Sequence, residues 1–169
     1  MDHTFSISGD GIVITPMTAP ESELYRQLRN RPEVRERLYS HNEIGKEAQE
    51  AWFSRYLSKP GDYMFTVRSD SGTFLGACAL YDEKDGCAEF GRIIIDKKAA
   101  GRGGVGCIAL SLVCKLAKKE MGLHKITLDL YEDNAASYKM CSGAGFITTD
   151  RKPSEKEPGR TIIYMEKEL

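Results

Sequence analysis

The stretch Asp96-Lys97-Lys98-Ala99-Ala100-Gly101-Arg102-Gly103-Gly104-Val105-Gly106-Cys107-Ile108 decides how the rest of the chain is read. Its glycines, Gly101, Gly103, Gly104 and Gly106, stand directly before a run in which Ile108, Leu112 and Leu116 recur at four-residue spacing. Val105, Ala109 and Val113 form the adjacent row, and Lys115, Lys118, Lys119 and Glu120 face water. The run therefore predicts an amphipathic helix ending near Gly122. Glycines ahead of a helix let backbone N–H groups approach a pyrophosphate, and the helix N-terminus favours negative charge there. Arg102 can add a guanidinium to the same phosphates. The competing reading is a flexible turn that holds no ligand.

Residues 101–106 literally match Gly-x-Gly-x-x-Gly, and Asp129 lies where a dinucleotide-binding fold places its ribose-binding acid. In that fold the first strand runs straight into the glycines. Here residues 96–100 intervene, and the preceding pattern is an antiparallel meander. Tyr63, Phe65 and Val67 alternate with Met64, Thr66 and Arg68, and further strands at residues 74–81 and 87–96 follow polar turns at 69–72 and 82–86. A P-loop is excluded, because Cys107 and Ile108 occupy the positions that need Lys and Ser/Thr.

Upstream, the pattern predicts a strand at 12–15 closed by Pro16, a helix at 22–29 with Leu24 and Leu28 in register, and a short helix at 32–38. A helix over 46–57 places Ala48, Trp52, Phe53, Tyr56 and Leu57 on one stripe, with Trp52 in the core. Downstream come a strand at 125–131, a helix capped by Asn134 and running to about 142, a strand at 146–150, a charged loop at 153–160 and a closing strand at 161–167. Without a repeat or linker, residues 1–169 read as one α+β domain.

Composition narrows the function classes. The 169 residues carry a net charge of -1, with 41% hydrophobic and 29% charged residues, so nucleic acid is not an expected partner. Apolar runs such as 107–114 are too short to span a bilayer, and the N-terminus lacks a signal-peptide pattern, so a cytoplasmic protein away from membranes is expected. The cysteines at 78, 87, 107, 114 and 141 show no Cys-x-x-Cys spacing, and His3, His41 and His124 are far apart in sequence. Neither a metal site nor disulfides are expected, and most of the cysteines read as small core residues.

Taken together, the segments resemble the GNAT superfamily of N-acetyltransferases. Its Arg/Gln-x-x-Gly-x-Gly/Ala motif is matched by Gly104 and Gly106, after a strand containing Glu89 and Ile93-Ile94-Ile95. Its second motif, an Asn followed eleven residues later by Gly-Phe, is matched by Asn134 and Gly145-Phe146. Leu28-Arg29-Asn30-Arg31-Pro32 and Trp52-Phe53 are similar to the subgroup of ribosomal-protein N-terminal, spermidine and nucleotide-amino-sugar acetyltransferases. Two positions depart from the pattern. Gly101 replaces the Arg/Gln, with Arg102 one residue later, and Cys141 stands where a tyrosine general acid is usual, with Tyr138 one helical turn earlier.

The resemblance implies a mostly antiparallel twisted sheet of six to seven strands with helices on both faces. It also implies acetyl-CoA as co-substrate without metal, and a gap between the strand of Ile93–Ile95 and the strand at 125–131. It places Ile93, Ile94, Ile95, Gly101, Arg102, Gly103, Gly104, Val105, Gly106 and Asn134 at the cofactor, and Tyr39 and His41 in the acceptor wall. Glu89 is the expected base, sharing a face with Gly91 and Ile93 by alternation, although an exposed strand-start carboxylate fits it equally. Tyr138 or Cys141 is the candidate acid, and Asn134 is explained by its cap alone as well as by cofactor contact. The expected partner is a small-molecule amine, such as a nucleotide-linked amino sugar, or a peptide amine, with a homodimer as the assembly. A non-catalytic acyl-CoA-binding module is the alternative.

Overall fold

A computed structural model describes residues 3–169. One eight-stranded sheet runs through it in the order β1-β2-β3-β4-β5-β6-β8-β7. Its strands are β1 Ile7–Gly9, β2 Ile12–Pro16, β3 Tyr63–Ser69, β4 Phe74–Lys84, β5 Cys87–Ile95, β6 Lys125–Tyr131, β7 Ile147–Pro153 and β8 Thr161–Glu168. Every neighbouring pair is antiparallel except β5 and β6. The helices are α1 Ala19–Arg29, α2 Pro32–Arg35, α3 Lys46–Leu57, α4 Lys97–Ala100, α5 Val105–Lys119 and α6 Ala135–Gly143.

The sheet has one strand more than the upper expected number. The extra strand, β1, is turned onto β2 by Asp10 and Gly11, both with positive φ (52° and 80°), in the two-residue hairpin geometry that Asp-Gly favours. The same chemistry at Asp85-Gly86 (52° and 76°) joins β4 to β5.

Alternation splits the apolar residues between two faces. On the first face α5 buries Val105, Leu110, Leu112, Val113 and Leu116 against Ile14, Phe65, Phe90, Ile126 and Leu128. Each such aliphatic chain contributes about 1.5–3 kcal/mol. On the second face α1 and α3 pack Tyr25, Leu28, Phe53 and Tyr56 over Met64, Ala77, Ala79 and Ile94. Two expected stripes are rotated. In α3, Gln49, Phe53 and Tyr56 are buried, while Ala48 and Leu57 are exposed and Trp52 is half-buried. The inward position of polar Gln49 is explained by its amide, which donates to the Ser22 hydroxyl at 2.8 Å. In α1, Ser22, Tyr25 and Leu28 face inward and Leu24 does not.

Among the described residues no helix is long and apolar enough to cross a membrane, and none of their side chains cluster as a metal site. The cysteines are free, with Cys78, Cys114 and Cys141 buried, Cys87 half-buried and Cys107 exposed.

Candidate active site

The site begins where the one parallel ladder ends. β5 and β6 pair only at Cys87↔Lys125, Ala88↔Ile126 and Glu89↔Thr127. Beyond that point β5 stays on β4 as far as Ile95, and β6 stays on β8 as far as Tyr131. The two strands therefore part, leaving a V-shaped gap whose β5 arm has no ladder partner on its β6 side.

A β-bulge in β5 sets that arm. Ala79 pairs with Gly91 and Ala77 with Ile94, so one extra β5 residue is absorbed around Arg92, whose φ is 51°. Positive φ at a non-glycine residue costs about 1–3 kcal/mol, and several contacts offset it. The Arg92 guanidinium donates to Asp62 at 2.6 and 3.2 Å and lies 4.4 Å above the Tyr81 ring. The Tyr25 hydroxyl donates to the Arg92 carbonyl at 3.1 Å. Opposite the bulge, Gly76 has φ 150°, and a Cβ there would collide with the Ile94 carbonyl oxygen. The bulge corrects the expected alternation: Ile93 and Ile95 pack on the first face and Ile94 on the second, so Glu89 and Ile93 do not share a face.

On the second face the mouth of the gap is a cleft of about 280 Å³, lined among others by Glu89, Thr127, Asp129, Thr149 and Tyr164. Burial raises the Glu89 pKa, the Tyr81 hydroxyl hydrogen-bonded to its Oε1 opposes that rise, and the Asp129 charge adds to it. Burial also raises the Asp129 pKa, against a hydrogen bond from the Tyr39 side chain. Among the described residues no ion pair reaches Glu89 or Asp129, whereas Glu21, Asp62 and Asp96 are each paired with an arginine. Tyr39 stacks edge-on against Tyr131 with centroids 4.6 Å apart, and Arg160 covers the same Tyr131 ring at 3.4 Å. His41, two residues on, is exposed and meets Glu157 at 3.1 Å, outside the residues lining the cleft.

On the first face the glycine turn borders the other side of the gap. Gly101 and Gly104 have φ of 62° and 87°, a region that glycine enters without penalty, and nothing lies within 4 Å of where a Cβ at Gly101, Gly103 or Gly104 would sit. The turn is thus an open cradle at the N-terminus of the fifteen-residue α5. Gly106 is next to the Ile93 and Ile95 side chains and 3.1 Å from the Met140 sulfur at its Cβ position, while Val105 is buried. Arg102 does not point along the gap: its guanidinium donates to the Asp10 carbonyl at 2.6 Å.

The remaining expected residues fall on α6. Asn134 is its N-cap, with Oδ1 accepting from the Ser137 N–H at 3.2 Å. Cys141 is buried in the first-face core, and burial pushes its thiol up to about 12. Tyr138 is exposed, and hydrogen bonding with Thr148 and Ser142 lowers its pKa. Expected from sequence to share roughly one face of α6, the two side chains have different surroundings, and neither lines the cleft. Sequence reasoning missed Tyr81, Arg92, Tyr25 and Asp62, and weighed Asp129 only as a ribose-binding acid. The available signal was an acid at 129 two residues after Thr127, in the same alternation as Glu89 across the ladder. A second cleft of about 310 Å³ between α1 and α3 shares no residue with this site.

A family model described as an acetyltransferase (GNAT) domain matches residues 12–147. The chain belongs to the GNAT acetyltransferases. It is therefore an acyltransferase, and its fold is the GNAT fold. Among solved structures, a spermidine N-acetyltransferase from Vibrio cholerae in complex with CoA and spermine superposes with a TM-score of 0.85 at 15% identity, over 94% of this chain and 95% of that one. A probable GNAT-family acetyltransferase from Chromobacterium violaceum gives 0.81 at 18% identity, covering 99% and 87%. A GNAT-family acetyltransferase from Bacillus anthracis gives 0.79 at 15%, covering 96% and 98%. No curated protein matches the chain by sequence. For this GNAT chain, the gap lies between an open glycine turn on one face and an acidic cleft on the other.

Proposed function

We propose that the chain transfers the acetyl group of acetyl-CoA to a small, positively charged primary amine, with Glu89 as the base. The observation that carries this reading is the pair of half-buried carboxylates, Glu89 and Asp129, which face the gap with tyrosine hydroxyls as hydrogen-bond partners and, among the described residues, no ion pair, Arg92 and Lys156 acting on them only at longer range. Half-buried carboxylates without a close ion-pair partner are costly, and an ammonium group entering the cleft supplies one.

Acetyl-CoA brings the thioester-activated acetyl group. The open turn at 101–106, ahead of α5, fits its pyrophosphate, and the unpaired side of the β5 arm at Ile93–Ile95 offers backbone donors to its carbonyl oxygen. Asn134 serves the cofactor side through the cap that starts α6. Glu89 takes the proton from the acceptor nitrogen, which frees its lone pair for attack; its raised pKa brings it nearer to the operating pH of a base. Asp129 and Tyr39 hold the amine on the far side of the cleft. The leaving sulfur takes its proton from water at the open end of the gap, since Cys141 is enclosed in the core and Tyr138 does not line the cleft. The same acidity disfavours a nucleotide-linked amino sugar, whose diphosphate would approach two carboxylates. The V. cholerae neighbour's complex with spermine is in keeping with a cationic acceptor. A second copy of the chain remains the proposed assembly partner.

The test is a panel of primary amines assayed for free-thiol release from acetyl-CoA, with Glu89→Gln beside the wild type. The expected result is turnover with cationic small amines, reduced about 10²-fold or more in the variant. Equal rates in the two proteins would remove Glu89 from the chemistry.

A further inference from the structure

The segment 29–31, singled out in the sequence, has no role in the chemistry above, yet its side chains reach both substrate sides. Asn30 Nδ2 donates to the Ile44 carbonyl at 2.8 Å, and the Ile44 N–H donates to Asn30 Oδ1 at 3.0 Å. Arg29 donates to the carbonyls of Asn42 and Ser40 at 3.1 and 3.2 Å. These bonds hold the loop between α2 and α3, which carries Tyr39 to Asp129. Arg31 turns the other way and meets Asp96 Oδ2 at 2.8 Å.

Asp96 is where β5 becomes the cofactor turn. Its Oδ1 accepts from the N–H groups of Lys98 and Ala99 at 3.0 and 3.3 Å, capping α4, and its own N–H donates to the Leu75 carbonyl at 2.7 Å. Among the described residues the polar side-chain tethers from 96–104 to the rest of the molecule are this ion pair and the bond from Arg102 to Asp10, beside the packing of Ala100 on the core. Arg31 and Asp96 also hold each other in the charged state, the arginine pKa raised and the carboxylate pKa lowered by their mutual hydrogen bond.

We propose that Arg31 and Asp96 are a positioning pair that couples the cofactor turn on one face of the sheet to the acceptor-wall loop on the other. Ordering the turn fixes Asp96, Asp96 fixes Arg31, and the adjoining Arg29 and Asn30 fix residues 40–44. Such coupling is reciprocal, so order in the acceptor wall also favours the cofactor turn. The inference rests on the reading of 101–106 as the coenzyme A site.

Hydrogen exchange with and without free coenzyme A tests it independently of turnover. In the wild type, coenzyme A is expected to slow exchange at 101–106 and also at 38–44. Arg31→Ala is expected to weaken coenzyme A binding about threefold to fivefold and to abolish the protection at 38–44 while that at 101–106 persists. Arg31→Lys is expected to restore part of it. Asp96→Asn keeps an acceptor for the α4 cap but loses the charge, so it should reproduce Arg31→Ala without unfolding the turn. Protection at 101–106 with none at 38–44 in the wild type overturns the coupling alone, as does unaltered protection at 38–44 in both the Arg31→Ala and the Asp96→Asn proteins. Absence of any protection at 101–106 overturns the coenzyme A site and the coupling with it.

Discussion

Tyr81→Phe removes one hydroxyl and leaves the ring under Arg92. That hydroxyl donates to Glu89, and a hydrogen bond to a charged acceptor contributes about 1.5–3 kcal/mol. Burial already raises the Glu89 pKa, and the Tyr81 donation is what opposes the rise. Without it the carboxylate is disfavoured further, so the base is unprotonated only at higher pH. The acid limb of the kcat/KM profile should therefore move to higher pH, with the rate recovering above it. Asp129→Asn acts in the opposite sense. Asp129 is a like charge that raises the Glu89 pKa, so its neutralisation should move the limb down.

The assay is thiol release from acetyl-CoA with one primary amine, measured across pH for the three proteins. The amine's own titration is common to all three and cancels in the comparison. Loss of substrate contact or of structure would depress the rate at every pH without displacing the limb. The reasoning is refuted if Tyr81→Phe leaves the limb in place, or if the two variants shift it in the same direction.

Two further outcomes are expected. Cys141→Ser places a hydroxyl without an assured partner in the core, costing about 1–3 kcal/mol and lowering Tm by about 2–4 °C per kcal/mol, while Cys141→Ala should leave kcat within about twofold because the thiol is packing. Calorimetric melting and steady-state rates check both, and a large fall in kcat for the alanine protein would return the thiol to the chemistry. Gly104→Ala forces a side chain to φ 87° at the first residue before α5. It should cost about 1–2 kcal/mol and weaken coenzyme A binding severalfold by calorimetric titration; unchanged affinity would place the pyrophosphate elsewhere.

The fold was legible where residue type and spacing determine backbone geometry locally. The row Val105, Ala109 and Val113 marked α5, and the alternation from Tyr63 marked β3. β1 was overlooked although Asp10-Gly11 between Ile7 and Ile12 carries a hairpin signal, because a three-residue strand offers almost no periodicity of its own. The face of Ile93 was illegible for a different reason. A bulge at an arginine breaks period two; Gly91 beside it is the residue type that marks such a site, but what holds the bulge is long-range: Asp62 and Tyr25 lie far away in sequence. Likewise Asp129 is placed beside Glu89 only once the parallel ladder sets β6 against β5, and Tyr39 arrives from a loop far away in sequence.

Topology explains why the cradle and the cleft meet. β5, α5 and β6 form the one parallel crossover in the sheet, and in such a unit the helix starts beyond the C-terminal end of its first strand. The electropositive end of α5 is therefore brought to the same end of the sheet at which β5 and β6 part. Open sheets bind ligands at the carboxyl ends of parallel strands for this reason, but there the opening usually lies between helices on opposite faces. Here β8 enters antiparallel beside β6, so no second crossover helix follows β6 on the second face. A base that is to face that opening has to sit at the last paired position of the ladder, on the second face. Glu89, opposite Thr127, occupies it. One residue earlier, Ala88 points into the first-face core, and three residues later the backbone has already been turned by the Arg92 bulge.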